Sequence, residues 1–122
     1  MTARGDAWTV RLMAPAEADL RKIVDWTRDQ FGDKQADVYG QTLASAVHAL
    51  AFGPTAIGVK DRKDLAEGLF TLHVAREGRR GRHFLLFRFA PDEHRSLEIL
   101  RILHDSMDLP NHASRAAAVK RR

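Results

Sequence analysis

The side chains with the right chemistry for metal-free cleavage of RNA are Glu67, Arg82, His83 and His104. Such a reaction needs a base for the 2′-hydroxyl group, an acid for the leaving oxygen and cations for the phosphate. The four residues fall in different predicted strands and loops, and no spacing in the sequence forces them together. His104, Arg82 and Glu67 are therefore weak catalytic candidates, and packing or hydrogen bonding at the end of a strand is the simpler interpretation of His104.

Sequence motifs for other kinds of catalysis are missing. The chain has 6 histidines and no cysteine, and the histidines show neither HExxH nor HxH spacing, so we expect no metal site and no cofactor. The sequence also lacks the nucleophile elbow of serine hydrolases and a glycine-rich phosphate loop after a strand. These absences favour a protein that acts by binding over an enzyme.

A basic segment between two predicted strands is the other candidate for a functional site. Residues 76–82 contain four arginines, one glutamate and two glycines, and guanidinium groups match the geometry of phosphate and carboxylate ligands. The same charges also suit a solvated hairpin tip, so both interpretations stay open. Together with two polar residues after the last strand, the predicted target-binding residues are Arg76, Arg79, Arg80, Arg82, His104 and Asp108.

The elements that must position these residues follow from the periodicity of the apolar side chains. Residues 8–13 alternate apolar with polar side chains, which predicts a strand with one buried face. Residues 14–31 and about 34–52 carry apolar side chains at spacings of three and four, which predicts two helices separated by a glycine. The stripe of the first helix ends on Phe31, and Gly40 inside the second suggests that the two helices approach closely.

The second half of the chain changes to the periodicity of strands. A polar connector over 55–67 precedes three predicted strands at 68–75, 83–90 and 95–103, which are joined by short turns. The order β-α-α-β-β-β predicts an α+β fold, in which a helical hairpin packs on one face of a small, mainly antiparallel sheet.

The last two predicted strands are apolar on both faces. Strict alternation places Phe84 and Leu86 opposite Leu85, Phe87 and Phe89, and in the next strand Leu97, Ile99 and Leu103 opposite Leu100 and Ile102. The helical hairpin covers only one face, so the second face needs the tail, a twin subunit or another protein as its cover. Strong curvature of the sheet is the alternative that needs no partner.

The composition fits one globular domain that prefers anionic partners. The 122 residues suffice for one domain, which we place at 8–112 with flexible termini at 1–7 and 113–122. A net charge of +4 and a pI of about 10.0 favour nucleic acid, the ribosome, an acidic protein or a membrane surface, although solubility alone also accounts for this charge. The lack of cysteine is typical of a reducing cytoplasm, and no apolar run predicts a signal peptide or a membrane span.

Two stretches of the sequence match the pattern of a known family. The segment APAEADLRKI at 14–23 is similar to the helix opening "P-x-A-x-x-D-L-x-x-I". The segment FRF at 87–89, followed by LEILRILH at 97–104 and DLP at 108–110, is similar to the ending "Y-R … v-E-I-L-x-V-L-H-x-x-x-D-L-P". In this order and spacing, the two stretches resemble the RelE/ParE toxin family over most of the chain, and its ParE branch in particular.

Departures from the family pattern also favour the ParE branch. The branch that cleaves mRNA on the ribosome usually has lysines and arginines in the connector, which Lys60, Arg62 and Lys63 echo only loosely. It also has a tyrosine or histidine near the C-terminus, where His104 stands and no tyrosine follows. Two other departures concern the family pattern as a whole and do not choose between its branches. The segment 105–107 is not basic, unlike the usual family ending, and a frequent arginine at the start of the second sheet strand is absent.

The resemblance implies the toxin of a bacterial type II toxin–antitoxin system, acting in the cytoplasm. It implies inhibition of DNA gyrase and of growth, a role in plasmid or chromosomal stability, and neutralisation by a cognate ParD-like antitoxin. A ribosome-dependent mRNA endonuclease of the RelE type is the alternative, and an inert adaptor is a third. The resemblance further implies that the antitoxin's C-terminal segment wraps the toxin as an amphipathic helix and strand, over an apolar groove that we expect at Phe84, Leu86, Leu97 and Ile99.

Overall fold

The computed structural model describes residues 7–107, so Asp108 and the predicted flexible tail lie outside the described residues. The elements are β1 (Thr9–Leu12), α1 (Ala14–Phe31), α2 (Asp33–Ala49), a 3-10 helix (Leu50–Thr55), β2 (Lys60–Asp61), β3 (Phe70–His73), β4 (His83–Phe89) and β5 (Ser96–His104). The predicted α+β fold is confirmed, with one short strand more than the sequence predicts.

Within residues 7–107, five strands form one mixed sheet in the order β1-β5-β4-β3-β2. β1 runs parallel to β5, with Thr9 opposite Ser96, and the other neighbouring pairs are antiparallel. The predicted polar connector contains the extra strand β2, where Lys60 pairs with Thr71 of β3. A two-residue strand of exposed, charged side chains shows no apolar alternation, and this is why the sequence predicts a connector there.

The two helices form the predicted hairpin. α1 ends at Phe31 because Gly32 adopts a φ of 95°, and the Gly32 N–H donates to the carbonyl group of Arg28 at 2.8 Å. The prediction that Phe31 belongs to the buried stripe is wrong, because its side chain is 63% exposed and packs beside Trp26. A Cβ atom at Gly40 would meet nothing within 4 Å, so close helix packing does not require this glycine either.

The second helix is shorter than predicted. α2 ends at Ala49, and the 3-10 helix follows over the segment that the sequence assigns to its last turn. Gly53 has a φ of 65°, and a Cβ atom at this position would overlap the indole ring of Trp8. The glycine therefore breaks the helical backbone and also admits Trp8, whose backbone N–H donates to the carbonyl group of Ala51 at 2.8 Å.

The two segments that carry the family resemblance meet at an ion pair. Asp19 of α1 accepts hydrogen bonds from Nε and Nη2 of Arg101 at 2.7 and 3.0 Å, and from the backbone N–H of Ile102 at 2.9 Å. The Asp19 side chain is only 13% exposed, and its hydrogen bonds raise the pKa of the Arg101 guanidinium. This contact fixes α1 against β5, so each of the two family-like stretches supplies one half of a single joint.

Apolar side chains form a separate core on each face of the sheet. The helix-side core is built around Leu43, Leu50, Leu85, Phe87, Leu97, Ile99 and Ile102. The second-face core contains Leu69, Phe84, Leu86, Leu100 and Leu103, with Met13, Leu65 and Ala66 packed against it. Residues of the connector therefore cover part of the second face, a cover that the sequence alone does not suggest.

A bulge in β5 changes the face of the sheet on which the last side chains of this strand lie. Two consecutive residues of β4 pair with Ile99 and Arg101, which leaves Leu100 without a direct partner. Beyond this bulge, Ile102 lies in the helix-side core and Leu103 in the second-face core. The predicted faces of Ile102 and Leu103 are therefore wrong, because strict alternation holds only for a strand without a bulge.

Candidate functional site

An open groove lies between the helical hairpin and the β3–β4 hairpin at residues 74–82, and we call it the helix–hairpin groove. Its volume of about 1260 Å³ exceeds the roughly 300–1,000 Å³ of common small-molecule pockets. Among the described residues, its lining includes no Asp or Glu but four cationic residues, Lys22, Arg79, Arg80 and Arg82. This imbalance of charge favours an anionic occupant.

One part of the helix–hairpin groove is apolar. Trp26 and Phe31 are 59% and 63% exposed, with their rings 6.0 Å apart, and Val38 of α2 is 47% exposed. Large apolar side chains that stay exposed side by side are typical of an interaction surface. The sequence carries a signal for two of them that is easy to miss, since Trp26 and Val38 are bulky apolar residues outside the buried stripes of their helices.

The arginines of the β3–β4 hairpin differ in their surroundings. Arg79 donates to the hydroxyl group of a threonine in α2 at 3.3 Å, whereas Arg80 makes no hydrogen bond or ion pair within residues 7–107. Nε of Arg82 lies 3.2 and 3.3 Å from the two carboxylate oxygens of Asp105. Arg76 does not line the groove and donates to a carbonyl group of the connector at 3.3 Å. Arg79 and Arg80 are therefore the hairpin arginines most available to a ligand.

Tyr39 of α2 connects the helices to the hairpin. Its hydroxyl oxygen lies 2.7 Å from Nδ1 of His83 and accepts a hydrogen bond from the backbone N–H of Arg82 at 3.1 Å. Gly81 makes this contact possible, because a Cβ atom there would lie 2.5 Å from Val74 and 2.8 Å from the Tyr39 oxygen. From the sequence, Tyr39 is simply a core residue, but its hydroxyl group also orders the wall of the groove.

Backbone donors fix the tautomer of two of the three histidines near Asp105. Backbone N–H groups two residues further along the chain donate to Nδ1 of His73 at 3.0 Å and of His104 at 3.1 Å. The neutral forms of His73 and His104 therefore carry their hydrogen on Nε2. The Tyr39 oxygen lies 2.7 Å from Nδ1 of His83, and this hydrogen bond forms whichever of the two groups donates, because a phenol hydroxyl group has one donor and two acceptor sites.

The Nε2 groups of these histidines differ in their partners. That of His73 donates to a carboxylate oxygen of Asp105 at 3.1 Å. Those of His83 and His104 make no hydrogen bond within residues 7–107, and neither is a buried unsatisfied atom, so both reach solvent. The two rings line the groove at 84° to each other, with centroids 5.2 Å apart. The groove is thus lined by two imidazole rings whose Nε2 atoms have no partner among the described residues, beside its arginines.

Burial and neighbouring groups set the ionisation of this cluster. Burial, and then the nearby His104, lowers the pKa of His83 from 6.5 to about 4, so the ring is neutral at neutral pH. The hydrogen bonds from His73 and Arg82 hold the pKa of the Asp105 carboxyl below its usual range. Burial raises the pKa of the Tyr39 hydroxyl. The cluster therefore contains an ionised carboxylate, a neutral His83 and a neutral phenol.

The structure separates the predicted catalytic residues. Arg82 and His104 line the groove, whereas Glu67 precedes β3 and so lies at the opposite end of that strand from His73. Glu67 is therefore not in position to act with the other two. Within residues 7–107, no three histidine or carboxylate side chains are arranged to hold a metal ion.

The four residues predicted to bind the antitoxin are buried in two different cores. Phe84 and Leu86 belong to the second-face core, and Leu97 and Ile99 to the helix-side core beneath the helices. Phe84 is 8% exposed and the other three are fully buried. They do not form one open groove, because helices cover one face of the strands and connector residues pack on the other.

A comparison of the sequence with models of known families identifies the family of this chain. The sequence model described as "ParE toxin of type II toxin-antitoxin system, parDE" matches residues 10–109. The chain belongs to the ParE toxin family. The resemblance drawn from the two sequence stretches is confirmed, and the ParE-family match covers the helices, the strands and the helix–hairpin groove. The chain is accordingly a type II toxin of a toxin–antitoxin system.

A solved structure of a toxin–antitoxin system shows the same fold as this ParE-family toxin. A chain of the structure "Chromosomal ParDE TA system from P. aeruginosa" is 23% identical, with a TM-score of 0.63, over 81% of this chain and 97% of that chain. A chain of the RelBE2 toxin–antitoxin complex from Mycobacterium tuberculosis is 27% identical, with a TM-score of 0.46, over 80% and 98%. None of the curated protein sequences matches. No helix in the described part of the toxin is long and apolar enough to cross a membrane.

Proposed function

We propose that this ParE-family toxin inhibits DNA gyrase by binding it, and that a ParD-like antitoxin neutralises the toxin by occupying the helix–hairpin groove. The observation that carries the proposal is the lining of this groove, which combines exposed apolar side chains with cations and has no carboxylate among the described residues. An acidic amphipathic helix fits such a surface, since its apolar face packs on Trp26 and Val38 while its carboxylates reach Arg79 and Arg80.

The chemistry of the groove supports a toxin that binds over one that cleaves RNA. A general base needs an unprotonated atom that faces the substrate, within about 3 Å of the proton that it removes. The backbone N–H of Ser106 occupies Nδ1 of His104, so the neutral form of this ring carries a hydrogen at Nε2 and has no free lone pair there. Glu67 lies at the other end of β3, and no carboxylate among the described residues lines the groove in its place. Action of His104 as a base would require this ring to give up its internal hydrogen bond.

In this proposal, neutralisation works by covering the same arginines that the toxin uses against its target. Without the antitoxin, Arg79 and Arg80 are free to contact gyrase, which stops supercoiling and growth in the cytoplasm. With the antitoxin bound, its acidic segment screens both guanidinium groups and buries Trp26 and Phe31. A toxin that exposes these two aromatic side chains should be poorly soluble or toxic when it is produced alone.

A supercoiling assay with purified gyrase tests the proposal. We expect the toxin to block supercoiling of a relaxed plasmid, or to trap cleaved DNA, and to leave mRNA intact on programmed ribosomes. Replacing Arg79 and Arg80 together with alanine should raise the toxin concentration needed for half-inhibition by about tenfold or more. The matched control replaces Lys60 and Lys63, which removes two positive charges from the exposed connector and should change little.

Two outcomes of this assay would contradict the proposal. If the wild-type toxin cuts mRNA on ribosomes and His104→Ala abolishes that activity in a folded protein, the endonuclease is the correct function. If the Lys60/Lys63 double variant inhibits supercoiling as weakly as the Arg79/Arg80 double variant, inhibition depends on the net charge of the toxin and not on the groove.

A further inference from the structure

We propose that His83 and His104 form an oxyanion site in the helix–hairpin groove, which binds a side-chain carboxylate of an acidic amphipathic peptide through their two Nε2–H groups. The identity of that peptide as the antitoxin rests on the proposed function, but the site itself rests on the geometry of the groove. It assigns a role in recognition to two residues whose chemistry otherwise indicates acid–base catalysis.

The tautomers of the two rings define the site. In His104, the backbone N–H of Ser106 donates to Nδ1 at 3.1 Å, and the Ser106 hydroxyl group lies 2.7 Å from the same atom. In His83, the Tyr39 hydroxyl group holds Nδ1 at 2.7 Å. Both rings are therefore oriented by hydrogen bonds at Nδ1, and neither Nε2 atom has a partner within residues 7–107. With the hydrogen of each neutral ring on Nε2, as proposed, both atoms can donate to a ligand. Donors that are oriented before binding lose little entropy when the ligand arrives.

The spacing of the rings suits a carboxylate. Their centroids are 5.2 Å apart. Over this separation, the two oxygens of one carboxylate can each accept one N–H at about 2.8 Å when both Nε2 atoms face the groove, as proposed. Arg80, which makes no ion pair within residues 7–107, supplies a positive charge on the same groove. The carboxylate of Asp105 lies 3.7 Å from Nδ1 of His104, on the side of the ring away from Nε2, and accepts hydrogen bonds from His73 and Arg82.

The rest of the groove favours a peptide over a nucleic acid as the source of the oxyanion. Trp26, Phe31 and Val38 expose apolar surface along the same groove, which the apolar face of a helix can cover. A nucleic-acid duplex, whose bases are stacked on one another inside its sugar–phosphate backbone, offers no such face. The volume of about 1260 Å³ and the four lining cations fit a helical segment that carries several carboxylates.

Binding of a synthetic peptide to the full-length toxin tests the site. The probe is a labelled 18-residue amphipathic helix with leucines on one face and glutamates beside them, and the matched probe has glutamine in place of each glutamate. His83→Asn and His104→Asn should each weaken binding of the glutamate peptide by about tenfold, the effect of one lost hydrogen bond to a charged group. His104→Gln, whose amide N–H replaces Nε2–H, should bind within about twofold of the wild type.

Three controls decide the outcome. The glutamine peptide should bind weakly and respond to none of these substitutions, and His94→Asn, in the exposed β4–β5 turn, should leave both affinities unchanged. Nitrogen-15 NMR of the histidine rings should show hydrogen on Nε2 of His83 and His104. A hydrogen on Nδ1 of His104 at neutral pH, or equal binding by His104→Asn and the wild type, would overturn the proposal. Tighter binding of an oligonucleotide, with the same dependence on both histidines, would also overturn it.

Failure of this site and failure of the proposed function give different results. If the natural antitoxin binds the toxin with no dependence on His83 or His104, the oxyanion site is wrong and neutralisation through the groove stands. If the synthetic peptide depends on both histidines but the toxin has no effect on gyrase, the site stands and the proposed target is wrong.

Discussion

Removing the Asp19 carboxylate should lower the free energy of unfolding of the toxin more than removing an exposed surface ion pair would. Asp19→Ala removes three hydrogen bonds of 2.7 to 3.0 Å that join α1 to β5. It also leaves the backbone N–H of Ile102, a residue only 3% exposed, without an acceptor. Arg101 is 27% exposed and recovers part of its hydration. We expect a loss of about 2–4 kcal/mol in the free energy of unfolding, which lowers Tm by about 10 °C in a chain of this size.

The matched control is an ion pair of the same geometry on the surface. Arg62 contacts Asp64 through two hydrogen bonds of 2.9 and 2.7 Å, but Asp64 is 61% exposed and its partner is two residues away in the chain. Asp64→Ala should leave Tm nearly unchanged, because solvent and salt screen such a pair. Thermal and urea unfolding, followed by circular dichroism, measure both variants.

A double-mutant cycle with Arg101→Ala separates the ion pair from the remaining contacts of Asp19. We expect the double variant to be more stable than the sum of the single losses predicts, by about 1–2 kcal/mol. If Asp19→Ala loses no more stability than Asp64→Ala, the joint between the two family segments does not hold the fold together.

Three further substitutions follow from individual contacts. Lowering the pH from about 6.5 to about 4 should destabilise the toxin, because His83 takes up a proton in the unfolded chain but stays neutral in the folded protein. The loss in the free energy of unfolding would be about 3 kcal/mol for a fully buried ring and is about 1–2 kcal/mol for this half-buried one. His83→Gln should therefore flatten the pH profile of urea unfolding. Gly40→Ala should stabilise the toxin by about 0.5–1 kcal/mol, since the new Cβ atom meets no neighbour and alanine favours the helix, and a lower Tm would contradict this. Gly81→Ala should lower Tm and weaken binding in the groove, because the new Cβ atom displaces the Tyr39 hydroxyl group; unchanged peptide affinity would show that Tyr39 does not order the groove.

The order of elements could be predicted from the sequence because each long element carries a strong apolar period. α1, α2, β4 and β5 all appear where spacings of three and four, or of two, predict them. Two features escaped prediction for local reasons. β2 is too short and too charged to show a period, and the bulge at Leu100 is set by pairing with β4, which a single strand does not encode.

The candidate site could be predicted only in part, because it depends on contacts between distant segments. The arginine hairpin and His104 are visible in the sequence as polar residues near turns. The structure places Arg79, Arg80 and Arg82 on the same groove as His104. The apolar wall is harder to foresee, since the exposure of Trp26 depends on where the helical hairpin ends. The partnership of Tyr39 with His83 joins residues 44 positions apart and follows only from the packed fold.

Hydrogen–deuterium exchange on the toxin–antitoxin complex tests the role of the helix–hairpin groove most directly. The antitoxin candidate is the protein encoded by the reading frame next to that of the toxin, and exchange is compared between the free toxin and the complex. Protection on binding should be concentrated in residues 22–42 and 75–83, the segments that line the groove. Protection confined to residues 65–69 and to the outer face of β4, with no change along the groove, would contradict the account.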